Sequence, residues 1–163
     1  MAAVDYFLKV EGIPGESKDP KYKGGIDALG YSWGASQMGT FVAQGVGGGG
    51  GSGKPEFEDL IVVVRTSKAS PLLMLACASG QHLKSAVLTC RHGGPKPREF
   101  LVIELEDIII TSYEVGGSED EFPSEEISFT YAKITFTYLP VSKTGKPQAP
   151  VTGGWDLKKN AKV

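Results

Sequence analysis

Cysteine and histidine are nearly missing from this chain, with two of each in 163 residues. Cys77 and Cys90 are too few for a disulfide framework and read as free, buried, small apolar residues in a reducing compartment. His82 and His92 leave little from which to build an imidazole base or a metal centre. Long hydrophobic runs are lacking too. The longest, Leu60–Val64 and Leu72–Ala78, fall far short of the roughly 20 residues a membrane-spanning helix needs, so no membrane insertion is expected. There is no basic stripe: the net charge is -2 with both signs interspersed, so nothing offers to neutralise phosphates and no nucleic-acid partner is expected. The opening stretch MAAVDYFLKVEG places Asp5 and Lys9 where the apolar core of a secretory signal would sit. The expectation is a chain made and folded in the cytoplasm, with any export by another route.

Glycine is in excess. The chain has 22, and seven of them fall within Gly45–Gly53. With 40% hydrophobic and 22% charged residues, the rest reads as one domain over residues 1–163 with a genuine core.

The patterning is mainly β. Segments rich in Val, Ile, Tyr and Phe predict strands at Asp5–Val10, Ile26–Trp33, Phe57–Arg65, Ala86–Arg91, Phe100–Val115 and Ile127–Tyr138. Turn residues separate them, as at Pro14-Gly15, Lys23-Gly24-Gly25 and Gly116-Gly117-Ser118. Many strands without alternating helices predict an antiparallel β-barrel or sandwich. One helix is marked over about residues 71–80, with Ser70 as its cap, Pro71 in the first turn and Gly80 as its stop. Its interior, Leu72 to Ala78, is apolar on every side, so it should be buried all round. One barrel covers only one flank of such a helix. Either a neighbouring subunit covers the rest, or the helix plugs the barrel mouth within one monomer.

Two strands carry more detail. Leu29, Tyr31 and Trp33 alternate with Gly30, Ser32 and Gly34, giving one core face and one small, smooth face. In the last strand the apolar set switches from Ile127, Phe129 and Tyr131 to Ala132, Ile134, Phe136 and Tyr138, which predicts a bulge or bend near Tyr131-Ala132. The segment over about residues 41–56 has no periodicity and reads as a long functional loop.

Several motifs tempt and fail. Gly48 to Gly53-Lys54 matches most of a phosphate-cradling loop, but Pro55 stands where Ser or Thr should follow, and what comes next reads as β. Gly45 to Gly50 matches a dinucleotide fingerprint only because glycine runs do so by chance. Cys77, His82, Cys90 and His92 lack the spacing of a zinc site. Gly34-Ala-Ser36-Gln-Met38 lacks the last glycine of a nucleophile elbow. The acidic run Glu119-Asp120-Glu121, with Glu125 and Glu126, repeats no calcium-ligand spacing and reads as a solvated loop. No catalytic residue, cofactor or metal is therefore expected, and the profile is that of a binding or assembly module.

The residues resemble the Hcp family of type VI secretion proteins. The resemblance rests on Ala3–Lys9 with Gly15–Asp19, on Ile26–Leu29 leading into Tyr31-Ser32-Trp33-Gly34 and Ser36-Gln37, and on the glycine run Gly47–Lys54. It continues through Lys68–Pro71 with Met74, Ala76, Cys77 and Gly80, then Leu88–Arg91, Gly116–Glu119, Ile127–Ile134 and Gly154-Trp155-Asp156. Asp59–Arg65, Gly93–Arg98 and Val141–Val151 depart from the usual pattern.

Membership implies a two-sheet β-barrel with one flanking helix. It implies six-subunit rings stacked into the inner tube of a contractile machine, with a surrounding sheath, a spike, and small secreted effectors carried in the lumen. It also implies export without a signal peptide. On this basis Phe41, Gln44, Gly47, Gly48, Gly49, Gly50, Gly51, Ser52, Gly53 and Lys54 are expected to form the inter-ring contact loop. Leu72, Leu73, Leu75 and Ala76 are expected at the seam within a ring, and Gly30, Ser32 and Gly34 toward the lumen. The competing class is a small-ligand-binding β-barrel with the glycine loop as its lid.

Overall fold

The computed structural model describes residues 3–39 and 53–163. Among them lie β1 (Val4–Val10), β2 (Ile26–Ser32), β3 (Ala35–Ser36), β4 (Glu56–Phe57), β5 (Leu60–Arg65), α1 (Ser70–Ser79), β6 (Leu83–His92), β7 (Arg98–Ser118), β8 (Glu121–Tyr138), β9 (Val151–Asp156) and β10 (Ala161–Lys162). The mainly-β barrel is what the chain forms: β8, β5, β2, β1, β6 and β7 follow one another, and β7 pairs with β8 to close the ring of strands. β9 and β10 extend the sheet beyond β8, and β3 and β4 make a separate two-stranded ribbon.

The barrel interior follows the two-residue period. In β5, Leu60, Val62 and Val64 are at most 1% exposed, while Ile61 and Val63 between them are half-buried. Leu8, Ile26, Leu88, Ile103, Ile110 and Phe129 are likewise at most 1% exposed and fill the same space. Hydrophobic burial on this scale is the main force holding the barrel together.

The bend expected in β8 is there, but it belongs to a pair. Inward residues run Ile127, Phe129, Tyr131 and then Ile134, with the half-buried Ala132 and Lys133 between. On β7 they run Leu101, Ile103, Leu105 and then Ile108, with the exposed Glu106 and Asp107 between. Each strand carries one extra residue at the same level, so Leu105 still faces Ile134 and Ile108 still faces Tyr131. The added backbone turns through Asp107, whose φ is 56, a left-handed conformation that Asp tolerates.

β2 differs from the sequence reading. Its register against β5 slips between Ala28 and Gly30, so Leu29 is ejected and 45% exposed and does not share the inner face of Tyr31 and Trp33. Ser70 is not the helix cap. Ala69 holds that position without a side-chain bond, while Ser70 Oγ accepts the Ser67 N–H at 2.9 Å. Pro71 sits in the first turn and Gly80 ends the helix at φ 64. There the Gly80 N–H reaches Cys77 O at 3.2 Å and the Gln81 N–H reaches Ala76 O at 3.1 Å, the glycine-terminated closure that satisfies the last carbonyls.

Removing the largest core ring should be costly. Phe129→Ala is expected to lower unfolding stability by about 3–5 kcal/mol in urea denaturation; a loss below ~1 kcal/mol would contradict the packed interior. Burial pushes the Cys90 thiol up to about 11, so at pH 8 Cys90 should react with thiol reagents only as fast as the protein unfolds.

Candidate assembly surfaces

The helix divides its apolar side chains between two environments. Leu73 and Ala76 are at most 1% exposed against the barrel, whereas Leu72, Met74 and Leu75 are 41%, 45% and 56% exposed. Leu73 and Ala76 are thus spent on the monomer's own core, while Leu72 and Leu75 stand free for another surface. The helix lies against β7, and Ala69, Leu73 and Ala76 join the same buried cluster as the side chains of the barrel interior.

The small-residue face of β2 also splits. A side chain added at Gly30 would meet nothing within 4 Å, whereas one at Gly34 would come within 2.9 Å of Glu58 Oε2. Ser32 is exposed. Gly30 and Ser32 therefore form an open outer strip, and Gly34 packs against β4's downstream turn. Its carbonyl accepts the Glu58 N–H at 2.9 Å.

Of the expected inter-ring loop, only Gly53 and Lys54 lie among the described residues; Phe41, Gln44, Gly47 to Gly51 and Ser52 lie outside them. An aromatic platform is well defined. The Trp33 indole N–H donates to Tyr131 Oη at 2.6 Å, and that hydroxyl donates to Glu58 O at 2.7 Å. Burial, opposed by the indole bond, pushes the Tyr131 hydroxyl up to about 12. Trp33 stacks with Phe136 at 5.8 Å, and Phe57 with Trp155 at 6.1 Å. Trp155 comes from β9, which the sequence reading missed. Its signal was present in the shared face of Val151, Gly153 and Trp155 but was masked by two glycines. Downstream of Lys54 the chain enters β4 and β5, the β context already expected there and unlike the helix of a nucleotide site. The full length of β6 separates His82 from His92.

On the opposite flank, residues 14–25 fold back over β1 and β6. Arg91 Nη2 holds Asp19 at 2.6 Å and Asp5 at 3.1 Å, and its guanidinium lies over the Phe7 ring at 4.6 Å. Phe7 in turn stacks on Tyr22 at 4.2 Å. Gly15 is required here: a side chain would collide with the Gly25 carbonyl and approach Ile26 Cγ1 at 2.7 Å. Hydrogen bonding from Arg91, against the opposing effect of burial, holds the Asp19 carboxyl below its usual range. Glu99 also sits below its usual range: burial pushes it up, but bonds from Lys21 and Tyr22 outweigh that.

The family description "Type VI secretion system effector, Hcp" matches residues 7–138. A Pseudomonas aeruginosa relative, protein hcp1, is 39% identical over 99% of both chains. Among solved structures, one described as a type six secretion system protein is 29% identical, with a TM-score of 0.91 over 99% of this chain and 100% of its own. Hcp1 from Salmonella typhimurium is 28% identical with a TM-score of 0.79, over 99% and 100% of the two chains.

Two outcomes follow from these sites. Tyr131→Phe strands the Trp33 N–H and should cost roughly 1–3 kcal/mol in chemical denaturation; no change would discount the bond. Because the folded Asp19 value is depressed, its stabilisation is complete above the unfolded value near ~3.9 and is lost as pH falls through the folded value. Amide protection at Gly15 and Ser17 should therefore hold from neutral pH to about 4 and drop below it. Asp19→Asn should show the lower protection at every pH.

Proposed function

This chain belongs to the Hcp family of type VI secretion tube proteins, and from that premise we propose that it assembles into six-membered rings that stack into the inner tube. The observation that carries the assembly reading is the exposed row of Leu72, Met74 and Leu75 on a helix with no charged residue in its first or last turn. An apolar row of this kind on a soluble domain is a contact surface awaiting a partner.

Within a ring the contact is head-to-tail and closes by rotation. Leu72 and Leu75 supply the seam, with Leu73 and Ala76 fixing the helix beneath them. The inter-ring loop is the segment from Phe41 to Lys54. Gly30 and Ser32 line the lumen, where small side chains leave room for secreted effectors. Sheath and spike proteins surround and cap the tube. The protein waits in the cytoplasm and leaves with the machine. Among the described residues no helix is long and apolar enough to cross a membrane.

A ligand-binding barrel needs an open interior, and this interior is filled: Leu8, Leu88, Ile103 and Phe129 are 0% exposed. A cavity of about 760 Å³ lies between residues 19–21 and 139–150.

Light scattering of the purified protein should give a hexamer, and a clean monomer would refute the ring. Leu75→Glu should shift it to smaller species with its circular dichroism intact. Deleting Gly47–Gly53 should preserve ring mass and abolish tube formation or secretion. Replacing Ser32 with a bulky charged residue should impair effector retention more than ring assembly.

A further inference from the structure

The β7–β8 ladder runs from the Leu101–Tyr138 pair to the Ser118–Glu121 pair, and its two ends carry opposite charge. At the hairpin tip, Glu119, Asp120 and Glu121 are exposed, with Glu114 and Glu126 behind them. Val115 and Phe122 are 57% and 65% exposed in the same place. At the other end, where β7 begins and β8 leaves the ladder, stand Lys96, Arg98, Lys143 and Lys146. Among the described residues, none of these nine charged groups forms an ion pair within the chain.

Beside the basic end lies the 760 Å³ groove, with Arg98 in its wall among Pro97, Leu139, Pro140, Pro147 and Pro150, while the wall's other charges, Asp19 with Arg91 and Glu99 with Lys21, pair with one another. Proline walls are stiff and offer no N–H groups, so such a groove loses little freedom when an apolar group enters it.

We infer that this groove receives the β7–β8 hairpin tip of a second copy in the next ring. Phe122 enters between the prolines, and Glu119, Asp120 and Glu121 meet Arg98, Lys143 and Lys146. Charge complementarity selects this occupant. Tip against tip sets acid on acid, and groove against groove sets the unpaired Arg98, Lys143 and Lys146 against their own copies; only tip in groove pairs unlike charges. That contact is heterologous, so it repeats without limit along one axis. It rests on the stacked-ring reading above and adds to it a second contact, apart from the glycine loop. The ionic part involves exposed groups, so salt weakens it.

The deciding experiment is oxidative cross-linking of the full chain carrying Asp120→Cys together with Lys146→Cys, with each single variant as a control. Concentrated protein, once oxidised, should give a ladder on a non-reducing denaturing gel that continues past six bands, while the single variants give none. A ladder that stops at six would place the contact within a ring and overturn the proposal. So would dimers from Asp120→Cys alone, or no ladder at all. Light scattering of the same samples under reduction reads ring formation separately, so a monomer there refutes the ring reading instead. As a second measure, reversing Glu119, Asp120 and Glu121 to Lys should weaken ring–ring association at low salt by about tenfold or more without changing ring mass. Adding Lys143→Glu and Lys146→Glu should restore it.

Discussion

Closure of the barrel through the β7–β8 ladder is the constraint on which the other features depend. β7 is 21 residues long and β8 is 18, and each has work on both edges. β7 holds β6 along its first half, and β8 holds β5 along its first half and β9 along its second. Because the hairpin joins both sides of the sheet, the interior becomes a sealed apolar space with no backbone edge left inside. Filling that space with Leu, Ile, Val and Phe side chains removes any internal site. Everything this protein can recognise must therefore be recognised from outside.

That explains why the surface, rather than a cavity, carries the specificity. The helix could have turned all its leucines inward only if the barrel were open to receive them. Since it is closed, Leu73 and Ala76 use the available contact and Leu72, Met74 and Leu75 are left over. The same closure puts an aromatic platform at one end, where β8 outruns the barrel and β9 joins it. Trp155 then reaches Phe57 across a gap that neither strand could bridge alone.

Local rules were readable from the sequence, and long-range ones were not. The alternation of Leu60, Val62 and Val64, the proline and glycine bounding the helix, and the face switch in β8 all depend on neighbours a few residues apart. The division of the helix did not show, because a stretch that is apolar on every side has no periodicity to say which stripe turns inward. Leu29 left its expected face because of a slip against β5, a partner some 30 positions away in sequence terms by the Gly30–Val63 pairing. Arg91 looked like an ordinary strand residue, and only the fold brings Asp5 and Asp19 to it. For the assembly surfaces, residue types were legible but exposure was not. Ser32 and Gly34 looked alike on paper, and Glu58 separates them in space.

The matched extra residues Asp107 and Ala132 bear on how such a chain can change over generations. Losing either one alone would leave the other as a one-sided bulge, with Ile108 and Tyr131 still facing inward on either side of it. Losing both together would leave every surviving pair in register and every core residue on its original side, because the strict alternation of each strand would simply be restored. Only the kink would vanish. Deletions at this level of the barrel thus alter the kink of its wall and not what faces its interior, although the two positions lie 25 apart in the chain by their numbering.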